Sequence, residues 1–162
     1  MGRQSWDEYF IDILHSAQNR ATCDRGRSAA LLVKKHHLLS TGYVGSPARV
    51  VHCSDVGHEF VDSYEKNENG EIERRKHCVR TVHAEQNAIC QAAKFGISVE
   101  GATLYCTMFP CYTCAKMLVN VGIDRVLAEY DYQSSERSKA LFSEVGIRFE
   151  VLHPEEELTY GE

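Results

Sequence analysis

The 162-residue chain is 43% hydrophobic and carries a formal charge of −5 with no long basic run, which fits one compact domain and argues against tight, nonspecific binding to nucleic acid. No stretch is apolar for long enough to span a membrane, and the N-terminus lacks the apolar run of a signal peptide, so a cytoplasmic location is expected. Seven cysteines, an odd number, and eight histidines in a reducing compartment point to metal ligands rather than a disulfide framework.

In chain order, the spacing first predicts a helix from about Ser5 to Arg20. Ser5 and Glu8 have capping-box spacing, and Trp6, Tyr9, Phe10, Ile13, Leu14 and Ala17 form one apolar stripe able to cover a sheet. Ala29 to Val33 and Leu38 to Tyr43 are apolar runs separated by Lys34-Lys35-His36-His37, which reads as a hairpin with a polar turn. Gly42, Gly45 and Pro47 break the second strand and open a long loop over about 46–80. Its charged segment Glu65 to Glu71 reads as a solvated loop. Around it stand His52, Cys53, His58, His77 and Cys78, with Cys23 far upstream. These suffice for a second metal site, or are free buried thiols and surface histidines.

A helical period runs from Val82 to Phe95 and ends at Gly96, and another follows Cys114 through Met117, Leu118, Val119 and Val121 to Gly122. His83 and Glu85 fall in the first turn of one helix, Cys111 and Cys114 in that of the other. The dipole of the second helix favours ionised thiols at its start. Strands at Thr103 to Thr107, Arg125 to Glu129 and Arg148 to Leu152, with a helix from about Ser135 to Val145, complete a single domain over 1–153. With the first hairpin they give a five-stranded mixed sheet flanked by helices, its later strands parallel. Residues 154–162 are acidic, lack an apolar period and are expected to form a flexible tail.

One histidine and two thiolates bind zinc and leave its fourth position for water, the arrangement of a catalytic site. Glu85, two residues from the ligand His83, is placed to take that water's proton. A purely structural zinc would leave Glu85 unexplained.

These stretches resemble the zinc-dependent cytidine and deoxycytidylate deaminases, whose signature is His-x-Glu followed by Pro-Cys-x-x-Cys. Within that family the match is to the deoxycytidylate (dCMP) deaminases, through Thr41 to Pro47, His83 to Ile89, Pro110 to Lys116 and Glu129 to Tyr132. The resemblance runs from about Trp6 to Leu152. It implies the three-layer α/β/α cytidine-deaminase-like fold and hydrolysis of dCMP to dUMP and ammonia, supplying dUMP for thymidylate synthesis. Glu85 is then the proton shuttle, and His83, Cys111 and Cys114 hold the catalytic zinc. No glycine-rich dinucleotide or phosphate loop is present, and a hydrolysis requires no organic cofactor.

The resemblance also assigns finer roles. Cys23 and Cys53 match ligands of a second, structural zinc in some members, with His77, Cys78 and His58 as candidates for the remaining places. Tyr132 matches a tyrosine at the substrate nucleotide, and Arg25 and Arg27 lie in the segment that helps bind its phosphate. Asn87 either supplies polar substrate contacts or supports a loop. Many members form hexamers controlled by dCTP and dTTP with Mg2+, read in the region of Gly42, Tyr43, Val44 and Gly45. Val44 stands where many have asparagine, which puts that control in question and is compatible with a bifunctional dCMP/dCTP deaminase. The expected partners are a nucleotide substrate, these effectors and copies of the same chain, with no nucleic acid and no membrane. A viral source would place the protein in host cytoplasm. A tRNA or other nucleic-acid base deaminase and a noncatalytic zinc module are the remaining alternatives.

Overall fold

The first helix, α1 (Trp6–Gln18), starts where its capping chemistry dictates: Ser5 Oγ accepts from the Glu8 backbone N–H at 3.2 Å, and Glu8 Oε2 accepts from the Ser5 N–H at 2.7 Å. In this computed structural model residues 2–66 and 69–157 are described. After α1 come β1 (Ala29–Lys34), β2 (His37–Tyr43), α2 (Cys53–Val56), β3 (Phe60–Lys66), β4 (Ile72–Cys78), α3 (Ala84–Lys94), β5 (Thr103–Met108), α4 (Tyr112–Asn120), β6 (Arg125–Asp131), α5 (Glu136–Val145) and β7 (Arg148–Glu157).

Five strands form one mixed sheet in the order β2-β1-β5-β6-β7, antiparallel through β1 and parallel from β5 to β7. The three-layer expectation holds, and strand alternation shows why. Ala30, Leu32, Leu104, Cys106, Val126 and Ala128 face one side and pack with Ala88, Leu118 and Phe142 of α3, α4 and α5. Ala29, Leu31, Val33, Tyr105 and Leu127 face the other side and pack with Phe10 and Leu14 of α1. With both faces covered, the strands read as continuous apolar runs rather than alternating ones. No helix among the described residues is long and apolar enough to cross a membrane.

Some expectations need correction. Trp6 and Tyr9 are each 45% exposed, so the stripe on α1 is only partly core. Trp6 instead stacks on His36 at 4.2 Å, over the β1–β2 turn in which Lys35 and His36 both have positive φ. The long loop over 46–80 is partly structured: it contains α2 and the β3–β4 hairpin, a separate two-stranded sheet. β7 runs on to Glu157, which pairs with Asp131 of β6 after a break in register, so residues 154–157 belong to a strand rather than a tail. The rest of the expected tail, 158–162, lies outside the described residues, as do residues 67 and 68 of the charged segment.

Gly42 is a packing glycine inside β2. A Cβ there would lie 2.1 Å from the Ala84 carbonyl oxygen, so the bare backbone lets α3 sit directly on the sheet. α1 is tied to the opposite face by Asp7, whose two oxygens each accept from the Arg125 guanidinium at 2.8 Å, while Oδ1 also accepts from the Tyr105 hydroxyl at 2.6 Å. Arg125 holds the Asp7 carboxyl below its ordinary value. A depressed folded-state pKa means stability that is present above the unfolded value of 3.8 and lost as pH falls through the folded one. Asp7→Asn is expected to cost about 1 kcal/mol at pH 7 in denaturant unfolding, because the carboxylate is partly exposed. It should also flatten the loss of stability below about pH 4.

Candidate active site

Two helices begin at one point. His83 is the N-cap of α3 and Cys111 the N-cap of α4, both with extended backbone, and Cys114 lies in the first turn of α4. Gln86 Oε1 accepts from the His83 N–H at 3.1 Å and steadies that end of α3. His83 Nδ1 lies 3.5 Å from Cys111 Sγ and 3.5 Å from Cys114 Sγ. Tetrahedral zinc, with bonds of about 2.0 Å to nitrogen and about 2.3 Å to sulfur, separates such atoms by about 3.5 Å. The donor set therefore fits zinc in both chemistry and spacing.

Glu85, 8% exposed, is buried beside this group, in contact with Cys114. Burial pushes its carboxyl up, the His83 charge draws it back, and the Cys111 thiolate raises it further. The Cys111 thiol is drawn down to about 4, first by its hydrogen bond with Cys114 and then by His83. His83 in turn is pushed up to about 9, chiefly by its contact with Cys111.

The group opens into a cleft of about 330 Å3. His83, Ala84, Glu85 and Cys111 line one part of it, and Ser28, Val44, Met108, Phe109, Tyr132 and Gln133 line its walls. Arg25, Arg75, Lys76 and His77 bring cationic or titratable groups to the same space. The sequence reading missed Arg75 and Lys76. Their run Arg74-Arg75-Lys76 is visible in the sequence, but its destination depends on the β3–β4 hairpin.

Of the residues expected at the substrate, Arg25 and Tyr132 line the cleft and Arg27 and Asn87 do not. Asn87 Nδ2 donates to the Tyr43 carbonyl at 2.7 Å and so supports the loop after β2. Within Gly42 to Gly45 only Val44 reaches the cleft, where it is buried and apolar. Gly42 packs on α3, and a Cβ on Gly45 would lie 2.3 Å from Thr22 Oγ1.

The possible second metal group forms in part. Ligand atoms of Cys23, Cys53 and His58 lie within 4.8 Å of one another, and Cys78 Sγ is 3.9 Å from Cys53 Sγ. His58 Nε2 pairs with Asp24 at 3.1 Å, while His58 Nδ1 is buried without a hydrogen-bond partner. His77 does not join. It pairs across the hairpin with Val61, whereas Cys78 pairs with Phe60, and neighbouring residues on a strand point to opposite faces.

Residues 4–130 match the model of the cytidine and deoxycytidylate deaminase zinc-binding region. ComE operon protein 2 of Bacillus subtilis (strain 168) is 36% identical over 156 residues, covering 96% of this chain and 76% of that protein. The deoxycytidylate deaminase of Mycobacterium phage D29 is 36% identical over 130 residues, covering 78% of this chain and 96% of the phage protein. The crystal structure of the dCMP deaminase of cyanophage S-TIM5 in complex with dCMP and dUMP superposes with a TM-score of 0.72 at 24% identity, over 93% of this chain and 99% of that one. At that identity the likeness speaks for the fold.

Asn87→Ala provides a check on the loop role. It is expected to lower stability by roughly 1 kcal/mol through the unsatisfied Tyr43 carbonyl while leaving substrate KM unchanged, as read by thermal unfolding and steady-state kinetics.

Proposed function

This chain belongs to the cytidine and deoxycytidylate deaminase family, and from that premise we propose that it hydrolyses dCMP to dUMP and ammonia, supplying dUMP for thymidylate synthesis. The observation that carries the reading is a buried carboxylate, Glu85, lining a cleft where two helix N-termini bring His83, Cys111 and Cys114 together. His83, Cys111 and Cys114 would hold zinc. Bound there, zinc supplies the Lewis acidity that makes water a nucleophile near neutral pH.

Glu85 does the proton work. It takes a proton from the attacking water, gives it to N3 of the cytosine ring as C4 is attacked, and carries the second proton to the 4-amino group, which leaves as ammonia. Water and cytosine become uracil and ammonia, with no change of oxidation state. A carboxyl whose pKa is raised by burial suits both halves of this relay. Met108, Phe109 and Tyr132 provide the wall for base and sugar, and Arg25, Arg75, Lys76 and His77 provide donors for the phosphate.

Two other classes fit less well. A noncatalytic zinc module has no use for a buried carboxylate beside a three-ligand site. A nucleic-acid base deaminase sits poorly with a charge of −5 and with the absence of a long basic run in the sequence. Hexamer formation, control by dCTP and dTTP with Mg2+ and a cytoplasmic location extend the reading by family resemblance. Gly42 and Gly45 have packing roles that account for those positions without an effector.

The deciding experiment is ammonia release from the zinc-loaded protein on dCMP, dCTP, CMP, cytidine and single-stranded nucleic acid. Release is expected chiefly from dCMP, and Glu85→Ala should retain zinc and lose kcat by roughly a thousandfold or more. Full activity in that variant would refute the assignment of Glu85, and no release from dCMP would refute the function.

The cluster of Cys23, Cys53, His58 and Cys78 is our candidate for a structural zinc, because its soft donors and the unpartnered His58 Nδ1 suit that ion. Elemental analysis should find two zinc ions per chain, falling to one in Cys53→Ser; a single ion in the unmodified protein removes the second site. At the rim, Lys76→Ala is expected to raise KM for dCMP roughly tenfold and leave the poorer substrate deoxycytidine unaffected. Equal effects on both substrates would place Lys76 away from the phosphate.

A further inference from the structure

β6 leaves its register with β7 at its last residue. Tyr130 pairs with His153, but the next pairing is Asp131 with Glu157. From there the chain turns into the cleft, where Tyr132 and Gln133 form part of the wall. Asp131 holds the turn from two directions: Oδ1 accepts the Tyr132 backbone N–H at 2.8 Å, and Oδ2 accepts from Lys139 Nζ of α5 at 2.7 Å. The two side chains are 19% and 23% exposed, so solvent screens the pair less than it would a surface ion pair.

Lys139 also reaches a second wall of the cleft. Its ammonium lies 5.7 Å from the centroid of the Phe109 ring, and Glu136 Oε1 accepts from it at 3.2 Å. Phe109 is itself joined to β6, donating its backbone N–H to the Tyr130 carbonyl at 2.9 Å. One ammonium on α5 thus sits between the residue that turns Tyr132 into the cleft and the aromatic ring beside it.

We propose that Asp131 and Lys139 are positioning residues for the substrate: their ion pair fixes Tyr132 relative to Phe109, so that the nucleotide meets a preformed wall. The proposal rests on the reading of Tyr132 as a nucleotide contact. Neither side chain reaches the reacting atoms, and the relay through Glu85 does not use them. Their loss therefore weakens substrate binding and spares turnover.

Steady-state kinetics on dCMP, with thermal unfolding alongside, tests this. Lys139→Met and Asp131→Asn are each expected to raise KM roughly tenfold with kcat within about twofold, and Lys139→Arg to restore KM. Asp131→Asn keeps an acceptor for the Tyr132 N–H and removes only the charge, so it reports on the pair even where Lys139→Met unfolds. Tyr132→Ala separates the two readings. An unchanged KM there defeats the Tyr132 contact itself. A raised KM in Tyr132→Ala, with unchanged KM in Asp131→Asn and Lys139→Met, overturns the positioning role alone. A fall in kcat without a change in KM, or no rescue by Lys139→Arg, also overturns it.

Discussion

The meeting of two helix N-termini, α3 and α4, is the constraint on which the rest of the structure depends. His83 and Cys111 are N-cap residues, so their side chains leave the backbone just before the helices take over, and Cys114 follows one turn into α4. The geometry survives only if both helices start at fixed points. For α3 that point is set by contact with β2, where Gly42 lets the helix backbone approach to a distance at which any Cβ would collide with the Ala84 carbonyl. For α4 it is set by the end of β5, whose last residues Thr107 and Met108, with Phe109, are buried and lead directly into Pro110 and Cys111. A cleft residue is thus positioned by the packing of a sheet that does not itself bear a ligand.

This arrangement explains how Glu85 can be buried. An isolated carboxylate in an apolar interior would give up its charge, and burial does push Glu85 upward. The start of α3 offers the positive end of a helix dipole, and a zinc ion held by His83, Cys111 and Cys114 would add positive charge that favours the ionised carboxyl. Opposed influences of this kind suit the proton relay proposed for Glu85, whereas a salt bridge of the Asp7–Arg125 type does not. Asp7 and Glu85 are both carboxylates at the first turn of a helix. The first is locked to a guanidinium and anchors α1; the second faces a cleft and stays available.

What was legible in the sequence was local or set by donor type. The capping box at Ser5 and Glu8, the glycine stops of α3 and α4, and the His-x-Glu and Cys-x-x-Cys groups each act over a few residues, and the structure places them as their spacing implies. The β3–β4 hairpin was not legible, because it packs against no core and its strands show no apolar face: Ile72 and Tyr64 are each 69% exposed and the rest of β4 is largely charged. The end of β7 reads as tail in the sequence for a related reason. It is an edge strand, where a proline and a row of glutamates are tolerated because one side needs no partner. Arg27 and Asn87 carried plausible chemistry, but only tertiary structure decides whether such side chains face a cleft or a loop.

The hairpin joins these themes. A two-stranded sheet standing alone is marginal in water, and among the described residues this one pairs with no strand of the main sheet. Its base is held where Cys78 approaches Cys53 and where His58, just before β3, meets Asp24. The same base presents Arg75, Lys76 and His77 to the cleft. Cys78 and Cys23 of the thiol cluster line the same cleft, so the end of one short strand borders both the cluster and the open space. Whatever steadies the cluster also steadies the cationic rim of the cleft, which ties this group of cysteines to the site proposed for the substrate.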